Sequence, residues 1–299
     1  MTPEHPVYIV SKSRWEKRLT SSALHRMGVP HFIVVEEQEL AAYRAAVDGS
    51  ATLLVLDKAY QRDYDTCDEL GDAKSRGPGP ARNFVWDHSV ANGDDWHWVM
   101  DDNIQGFYRL NHNLKTPVGD GTILRCMEDF IARYENVAMA GPNYFMFAPR
   151  KSRQPPFVTN TRIYSCNLIR NDVPYRWRGR YNEDTDLSLR MLKDGWCTVL
   201  FNAFLQWKMP TQSVRGGNTQ EFYEIEGTLP KSKMQVNLHP DISKLVWRFG
   251  RWHHLVDYSR FQHNRLRRRP DLVLDSATND YGMVLQERVG ADWQELARG

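Results

Sequence analysis

Asp101-Asp102-Asn103 closes a short apolar run, Trp96-His97-Trp98-Val99-Met100, whose aromatic and β-branched content reads as a buried strand. Adjacent Asp oxygens are what a hard cation such as Mg²⁺ or Mn²⁺ needs while it also holds phosphate, and ligands of open α/β sheets gather at the carboxyl ends of strands. A solvated acidic turn explains the three residues equally well, since Asp and Asn are common turn formers. Gly106 is then read as the point where the chain changes direction. A second acidic group, Glu183-Asp184-Thr185-Asp186, runs into Leu187-Ser188-Leu189-Arg190 and so falls in the first turn of a helix, where the dipole favours negative charge. Capping accounts for one or two of these acids. A third is left to act as a general base, taking the proton from an attacking hydroxyl.

The elements that must position these groups alternate strand and helix. Pro6 to Val10 reads as a strand, followed by a helical pattern with Trp15, Leu19, Ala23, Leu24 and Met27 on one face and Gly28 as its stop. Strands at 30–35 and 52–56 flank a short helix over 38–48. This alternation predicts an α/β fold, a doubly wound, mixed and mainly parallel sheet flanked by helices. Residues 57–80 end in Gly77-Pro78-Gly79-Pro80 and read as a loop able to move over a site. A helix over 81–90 leads to the Asp101 strand. Beyond it come a loop over 110–121, a helix over 122–134, a strand at 137–140, an exposed Pro-rich connection at 149–156, a strand at 161–169, a helix over 185–193 and a strand at 196–204. Past Gln206 the pattern weakens into a helical and loop extension, with Arg215-Gly216-Gly217-Asn218 as its most mobile point.

Composition narrows the function classes. Hydrophobic residues make up 41% and charged residues 25% of the 299, the balance of an ordinary soluble globular chain. No apolar run approaches the roughly 20 residues of a membrane span, and the N-terminus lacks the layout of a signal peptide, so a cytoplasmic protein with no membrane partner is expected. Cys67, Cys126, Cys166 and Cys197 match no zinc-ligand spacing and read as reduced thiols. The net charge is only +2, so any nucleic-acid binding must come from a local patch. The stretch 244–269 offers one, interleaving Arg248, Arg251, Arg260, Arg265, Arg267, Arg268 and Arg269 with Trp247, Phe249, Trp252, Tyr258 and Phe261. A solvated basic helix is the plainer reading of that stretch.

In order and approximate separation, Ala81-Arg82-Asn83, the strand ending in Asp101-Asp102-Asn103, and Glu183 to Arg190 resemble the nucleotide-sugar glycosyltransferases of the GT-A fold over residues 1 to about 205. Phe84-Val85-Trp86-Asp87-His88, Trp98 to Ile104, Asn160-Thr161-Arg162-Ile163-Tyr164-Ser165-Cys166-Asn167 and the Glu183 motif are more specifically similar to the phage TET-associated glycosyltransferases. Those enzymes are thought to add sugar to hydroxymethylated cytosine in DNA, inside the infected host cell. The last thirty residues carry none of this likeness.

The resemblance implies a GT-A-like (Rossmann-like) core at 1–205. It also implies a C-terminal region at 206–299 that completes the site through the loop 208–219 and His239, with 244–269 facing DNA. Val10, Ser11 and Arg14 would cradle the nucleotide, Glu36 or Glu37 would contact uracil of a UDP-sugar, and Arg82 and Asn83 would lie against the nucleotide or its phosphates. Asp101, Asp102 and Asn103 would hold the ribose and a pyrophosphate bridged by Mn²⁺ or Mg²⁺. Arg14, Lys208 and Arg215 would stabilise the leaving diphosphate. Asn103 departs from the usual Asp-x-Asp triplet: its amide oxygen can coordinate but brings no charge, so either Asp102 supplies the ligand or the metal is held more weakly. His239 stands where such enzymes place a late metal ligand, though a lone His is commonly structural.

Asp184, with Glu183 as runner-up, would serve as base in a single inverting displacement onto the hydroxymethyl group. Arg176, Arg178 and Arg180 are placed to draw a DNA backbone toward the site, and Arg162 and Asn167 of the Asn160 motif join Arg248, Arg251 and Arg267 to Arg269 as acceptor contacts. A flipped-out base is the expected substrate pose. Two rivals remain at this level: a transferase for a glycan or small hydroxylated acceptor, and a catalytically silent module that binds DNA or nucleotide.

Overall fold

Val7-Tyr8-Ile9-Val10 is apolar throughout, and such a strand is stable only with both faces covered. In the computed structural model, which describes residues 1–70, 75–111, 113–148, 155–209, 228–273, 277 and 284, it forms β1 (Val7–Val10) inside a ten-stranded sheet. β2 (Phe32–Val35) and β3 (Thr52–Val55) extend the sheet on one side and β4 (Trp96–Asp101) adjoins β1 on the other, all parallel. The order continues from β4 through β9 (Cys166–Arg170), β7 (Val137–Tyr144), β10 (Cys197–Lys208), β5 (Ile104–Asn111) and β6 (Leu114–Pro117), while β8 (Phe157–Thr159) pairs along β10. Only β9, β5 and β8 run against the rest. The sheet is therefore mixed and mainly parallel, as the alternation of elements predicted.

Period-2 alternation divides the core in two. Val7, Ile9, Ile33, Trp98 and Met100 face α1 (Leu19–Arg26), α2 (Leu40–Val47) and α5 (Thr122–Ile131), meeting Leu24, Tyr43 and Met127. Tyr8, Val10, Val34 and Val99 face α4 (Gly79–Ala91) and α6 (Glu183–Lys193), meeting Val85, Trp86, Leu187 and Met191. The chain builds β1, β2 and β3 outward and then returns to set β4 against β1, so strand order reverses between those two. That reversal opens a crevice at their carboxyl ends.

Several expectations need correction. Gly106 lies inside β5, and the supposed loop at 110–121 begins as a β5–β6 hairpin, because pairing of β5 with the distant β10 outweighs the local turn signal. The first helix starts only at Leu19. The loop 57–80 contains α3 (Lys58–Arg62). In the C-terminal region α7 (Leu229–Leu238) precedes a two-stranded hairpin, β11 (Ser243–Arg248) and β12 (Arg251–Val256), where a basic helix was the plainer expectation. This region packs onto the core: Ile242 and Phe261 cover Leu189 and Leu192 of α6. Asn160 Nδ2 donates to the carbonyls of Phe261 and Asn264 at 2.9 and 2.7 Å. Arg215, with most of the loop 208–219 and of the connection 149–156, lies outside the described residues. Among the described residues no helix is long and apolar enough to cross a membrane.

Gly141 on β7 shows how closely this sheet is packed. A Cβ there would stand 2.2 Å from the Cys166 carbonyl oxygen and 2.6 Å from Ile163 Cγ2. Gly141→Ala is therefore expected to cost about 1–3 kcal/mol of stability, read as a lower urea midpoint with an unchanged slope.

Candidate functional site

The crevice opens into a cavity of about 1000 Å³ lined by the ends of β1, β2, β4, β7 and β10 and by the start of α6. Its electrostatics follow from the strand alternation. Asp101, one residue past Met100, turns to the α4–α6 face. There its Oδ1 accepts from Arg82 Nη2 at 2.8 Å and its Oδ2 from Lys208 Nζ at 2.6 Å. Asp102 turns the other way, accepting from Ser11 Oγ at 2.8 Å and from Arg14. Thr20 braces the bend between them: its Oγ1 donates to the Asp101 carbonyl at 2.6 Å and accepts from Ile104 N at 2.8 Å.

Arg82 joins the two acidic motifs. The guanidinium is buried on α4, lies 4.6 Å from the centre of the Trp177 ring, and sends Nη1 to Glu183 Oε1 at 2.9 Å as Nη2 holds Asp101. Burial opposes charge on Asp101, but the Lys208 ammonium and the Arg82 guanidinium prevail and hold its carboxyl well below the usual range. For Asp102 burial prevails over Arg14 and pushes the carboxyl up. Glu183 and Asp184, both at the first turn of α6, are likewise raised, chiefly by burial and against the pull of Arg82. Asp184 accepts from the Thr185 amide at 2.8 Å and faces the cavity.

Asp186, two residues further along α6, does a different job. It is fully buried and takes Arg178 at 3.1 Å, Arg190 at 2.8 Å and His239 Nε2 at 2.9 Å. Burial alone would raise its pKa; the His239 hydrogen bond and the guanidinium groups bring it down to about 2.

The model of the TET-associated glycosyltransferase family matches residues 5–217 of this chain. The chain belongs to that family. Its fold is accordingly GT-A-like and its activity that of a glycosyltransferase. No curated protein matches it. Among solved structures it is similar to mouse xyloside xylosyltransferase 1 in its apo form, at 10% identity and a TM-score of 0.32, over 64% of this chain and 75% of that one.

In this TET-associated glycosyltransferase the structure brings together Val10, Ser11, Arg14, Glu36, Arg82, Asp101, Asp102, Asn103, Arg162, Glu183, Asp184 and Lys208 around one cavity. Glu37 turns outward to Lys58. The cavity also takes in Tyr144, Ser165 and Lys231, which had not been singled out. Ser165 Oγ accepts from Lys208 at 2.7 Å and meets the Tyr144 hydroxyl at 2.8 Å, and its positive φ of 62° sits within the Asn160 motif.

Other expected site residues are used elsewhere. Asn83 spends its amide on the backbone of Trp177, donating at 2.9 Å and accepting at 2.8 Å, which aligns the segment before α6. Asn167 is buried inside β9 rather than facing an acceptor. Arg178 is bound to Asp186, and Arg180 lines the cavity but is fully buried against Asp68 at 2.7 Å, tying the loop after α3 to the site; the charge of each is engaged by a carboxylate of this chain. Arg176 pairs with Asp87 at 2.9 Å, outside the cavity. Arg267 to Arg269 pair through their backbone with residues 133–135, at the start of β7, whereas the end of β7, Tyr144, is what reaches the cavity. That puts the run at the opposite end of the sheet.

For a divalent metal the fit is partial in number and sound in kind. Asp102 and Asn103 line the cavity with hard oxygen donors, and Asn103 Oδ1 is buried with no hydrogen-bond partner among the described residues. His239 is not part of this set, since it lies outside the cavity on Asp186. No group of three His, Cys, Asp or Glu side chains assembles a cage among the described residues.

The Asp186 network yields a pH test. Its folded pKa of about 2 against an ordinary 3.8 corresponds to about 2 kcal/mol of stability, fully present above pH ~4 and lost as pH falls through 2. Asp186→Asn should therefore be markedly less stable at pH 7, with the gap to the parent chain narrowing below pH ~4 and closing only as pH falls below about 2 in parallel urea titrations.

Proposed function

We propose that this glycosyltransferase moves a sugar from a nucleotide-sugar donor, a UDP-sugar, to the hydroxymethyl group of 5-hydroxymethylcytosine in DNA by a single inverting displacement. The observation that carries the chemistry is the isolation of Asp184. Of the carboxylates lining the cavity, Glu36, Asp101, Asp102 and Glu183 each have a cationic partner, and Asp184 alone has no ion pair within 4 Å among the described residues. An unpaired carboxylate with a raised pKa is the better proton acceptor.

The remaining residues divide the donor among them. The cavity is large enough for a nucleotide sugar. Val10 and Ser11, with Glu36 at the end of β2, receive the nucleoside. Arg14 and Lys208 are fixed by Asp102 and Asp101 before any donor arrives, so little reorganisation is needed when charge develops on the leaving diphosphate. A divalent cation held through Asp102 and Asn103 would add Lewis-acid stabilisation to that same charge. Asp184 takes the proton as the acceptor oxygen attacks the anomeric carbon. The bond from that carbon to the diphosphate breaks, giving the glycosylated base, a nucleoside diphosphate and a protonated Asp184. The family match supports the acceptor class, because a TET-associated enzyme would meet oxidised methylcytosine in DNA.

Asp184→Asn is expected to lower kcat roughly 10²–10⁴-fold while leaving donor affinity within a few-fold; collapse of donor binding would place Asp184 in the nucleotide site instead. Since the base acts when deprotonated and its pKa is raised, kcat/KM should fall on the acid side at a pH above the usual Asp range, and this limb should vanish in the variant's residual activity. Nucleoside diphosphate release should depend on hydroxymethylated DNA. Equal release with unmodified DNA would remove DNA as the acceptor.

A further inference from the structure

The β11–β12 hairpin rests on α7 and presents its turn to solvent. Arg248 and Arg251 are cross-strand partners, so Phe249 and Gly250 form a two-residue turn, and both have positive φ, 51° and 71°. That turn normally takes Asn-Gly or Asp-Gly, because an aromatic side chain is sterically disfavoured at positive φ. Phe249 is nevertheless 89% exposed, its ring touching only the edge of His253 at a centroid distance of 6.2 Å among the ring contacts of the described residues. A strained backbone that holds an aromatic ring in water does nothing for the core, and strain of this kind collects at functional positions.

The surroundings of the ring point to its partner. Behind it Trp247 and Trp252 sit directly opposite one another and pack edge to face with centroids 5.2 Å apart, stiffening the base of the turn. Arg248 and Arg251 flank it with exposed positive charge. On the same strand His253 and His254 line the cavity, so the tip lies roughly 10 Å along β12 from the cavity lining. An aromatic ring between two arginines, one strand away from a pocket with a general base, matches the chemistry of stacked bases flanked by phosphates.

Resting on the acceptor reading above, we propose that this hairpin is a wedge for duplex DNA. Phe249 enters the base stack beside the modified cytosine, Arg248 and Arg251 neutralise the adjoining phosphates, and the extruded base swings along β12 into the cavity where Asp184 lies. Extrusion costs unstacking, and the inserted ring replaces the stacking that the neighbouring base loses.

The test uses the full chain and a duplex carrying 2-aminopurine next to 5-hydroxymethylcytosine, whose fluorescence rises when the adjacent nucleobase leaves the stack and a weakly quenching phenyl ring takes its place. Phe249→Asn is the variant of choice, because Asn tolerates positive φ and keeps the turn; its melting temperature should match or exceed the parent's. The parent chain is expected to raise the fluorescence several-fold and Phe249→Asn to abolish the rise. Transfer to the duplex should fall roughly tenfold or more in the variant, while transfer to the same strand presented single-stranded changes less than about twofold. No fluorescence rise with the parent chain, an equal rise with the variant, or an equal loss of transfer on both substrates would each overturn the wedge. The unstacking signal needs no sugar transfer. A chain that unstacks the duplex through Phe249 yet leaves hydroxymethylcytosine unmodified therefore supports the wedge and sinks the acceptor reading instead.

Discussion

The site depends on one buried guanidinium. Arg82 holds Asp101 with one arm and Glu183 with the other, at 2.8 and 2.9 Å, and is covered by the face of Trp177. A charge taken out of water is tolerated only when its partners are in place, and the planar fork of arginine fits two carboxylates where a lysine would reach one. The strand end, the start of α4 and the first turn of α6 are therefore fixed relative to one another by a single side chain. Asn83, the next residue on α4, continues the constraint by clasping the backbone of Trp177.

Around that pin the charges are sorted by burial and pairing. The carboxylates at the end of β4 each carry a cation, which fixes Arg14 and Lys208 at the cavity wall. Asp186 is held from three directions, by two guanidinium groups and an imidazole, and anchors α6 to the C-terminal region through His239. Asp184 lies between these two networks, within the field of Arg82 and Lys208 but with no ion pair to either among the described residues. Three acids within four residues thus take three separate places: Glu183 on Arg82, Asp184 facing the cavity and Asp186 on His239. The helical rotation of about 100° per residue is what separates them.

Much of the fold was legible because apolar runs such as Val7–Val10 and Trp96–Met100 can only be covered strands, and Gly28 can only end the helix before it, with φ at +66°. The β5–β6 hairpin was missed since its stability comes from β10, roughly a hundred residues further on, and the local signal at Gly106 favours a turn. The arginines show the same dependence on distant partners. Arg178 and Arg180 look like a basic patch when read in line, but their partners Asp186 and Asp68 consume them, the latter 112 residues away. His239 was placed with a metal by its position in the chain, and only the fold shows that it is spent on Asp186.

By itself the sequence determined which strands must be buried, where the acids stand at the ends of elements, and the family to which those motifs belong, because hydrophobic period and local charge are properties of neighbours in the chain. The tertiary structure decided which charge meets which. Arg82 and Glu183 are 101 residues apart and Lys208 and Asp101 are 107 apart, and an ion pair is set by distance in space. For that reason the identity of the carboxylate with no ion pair among the described residues, and of the aromatic ring held in water at the hairpin tip, could be read only once the chain was folded.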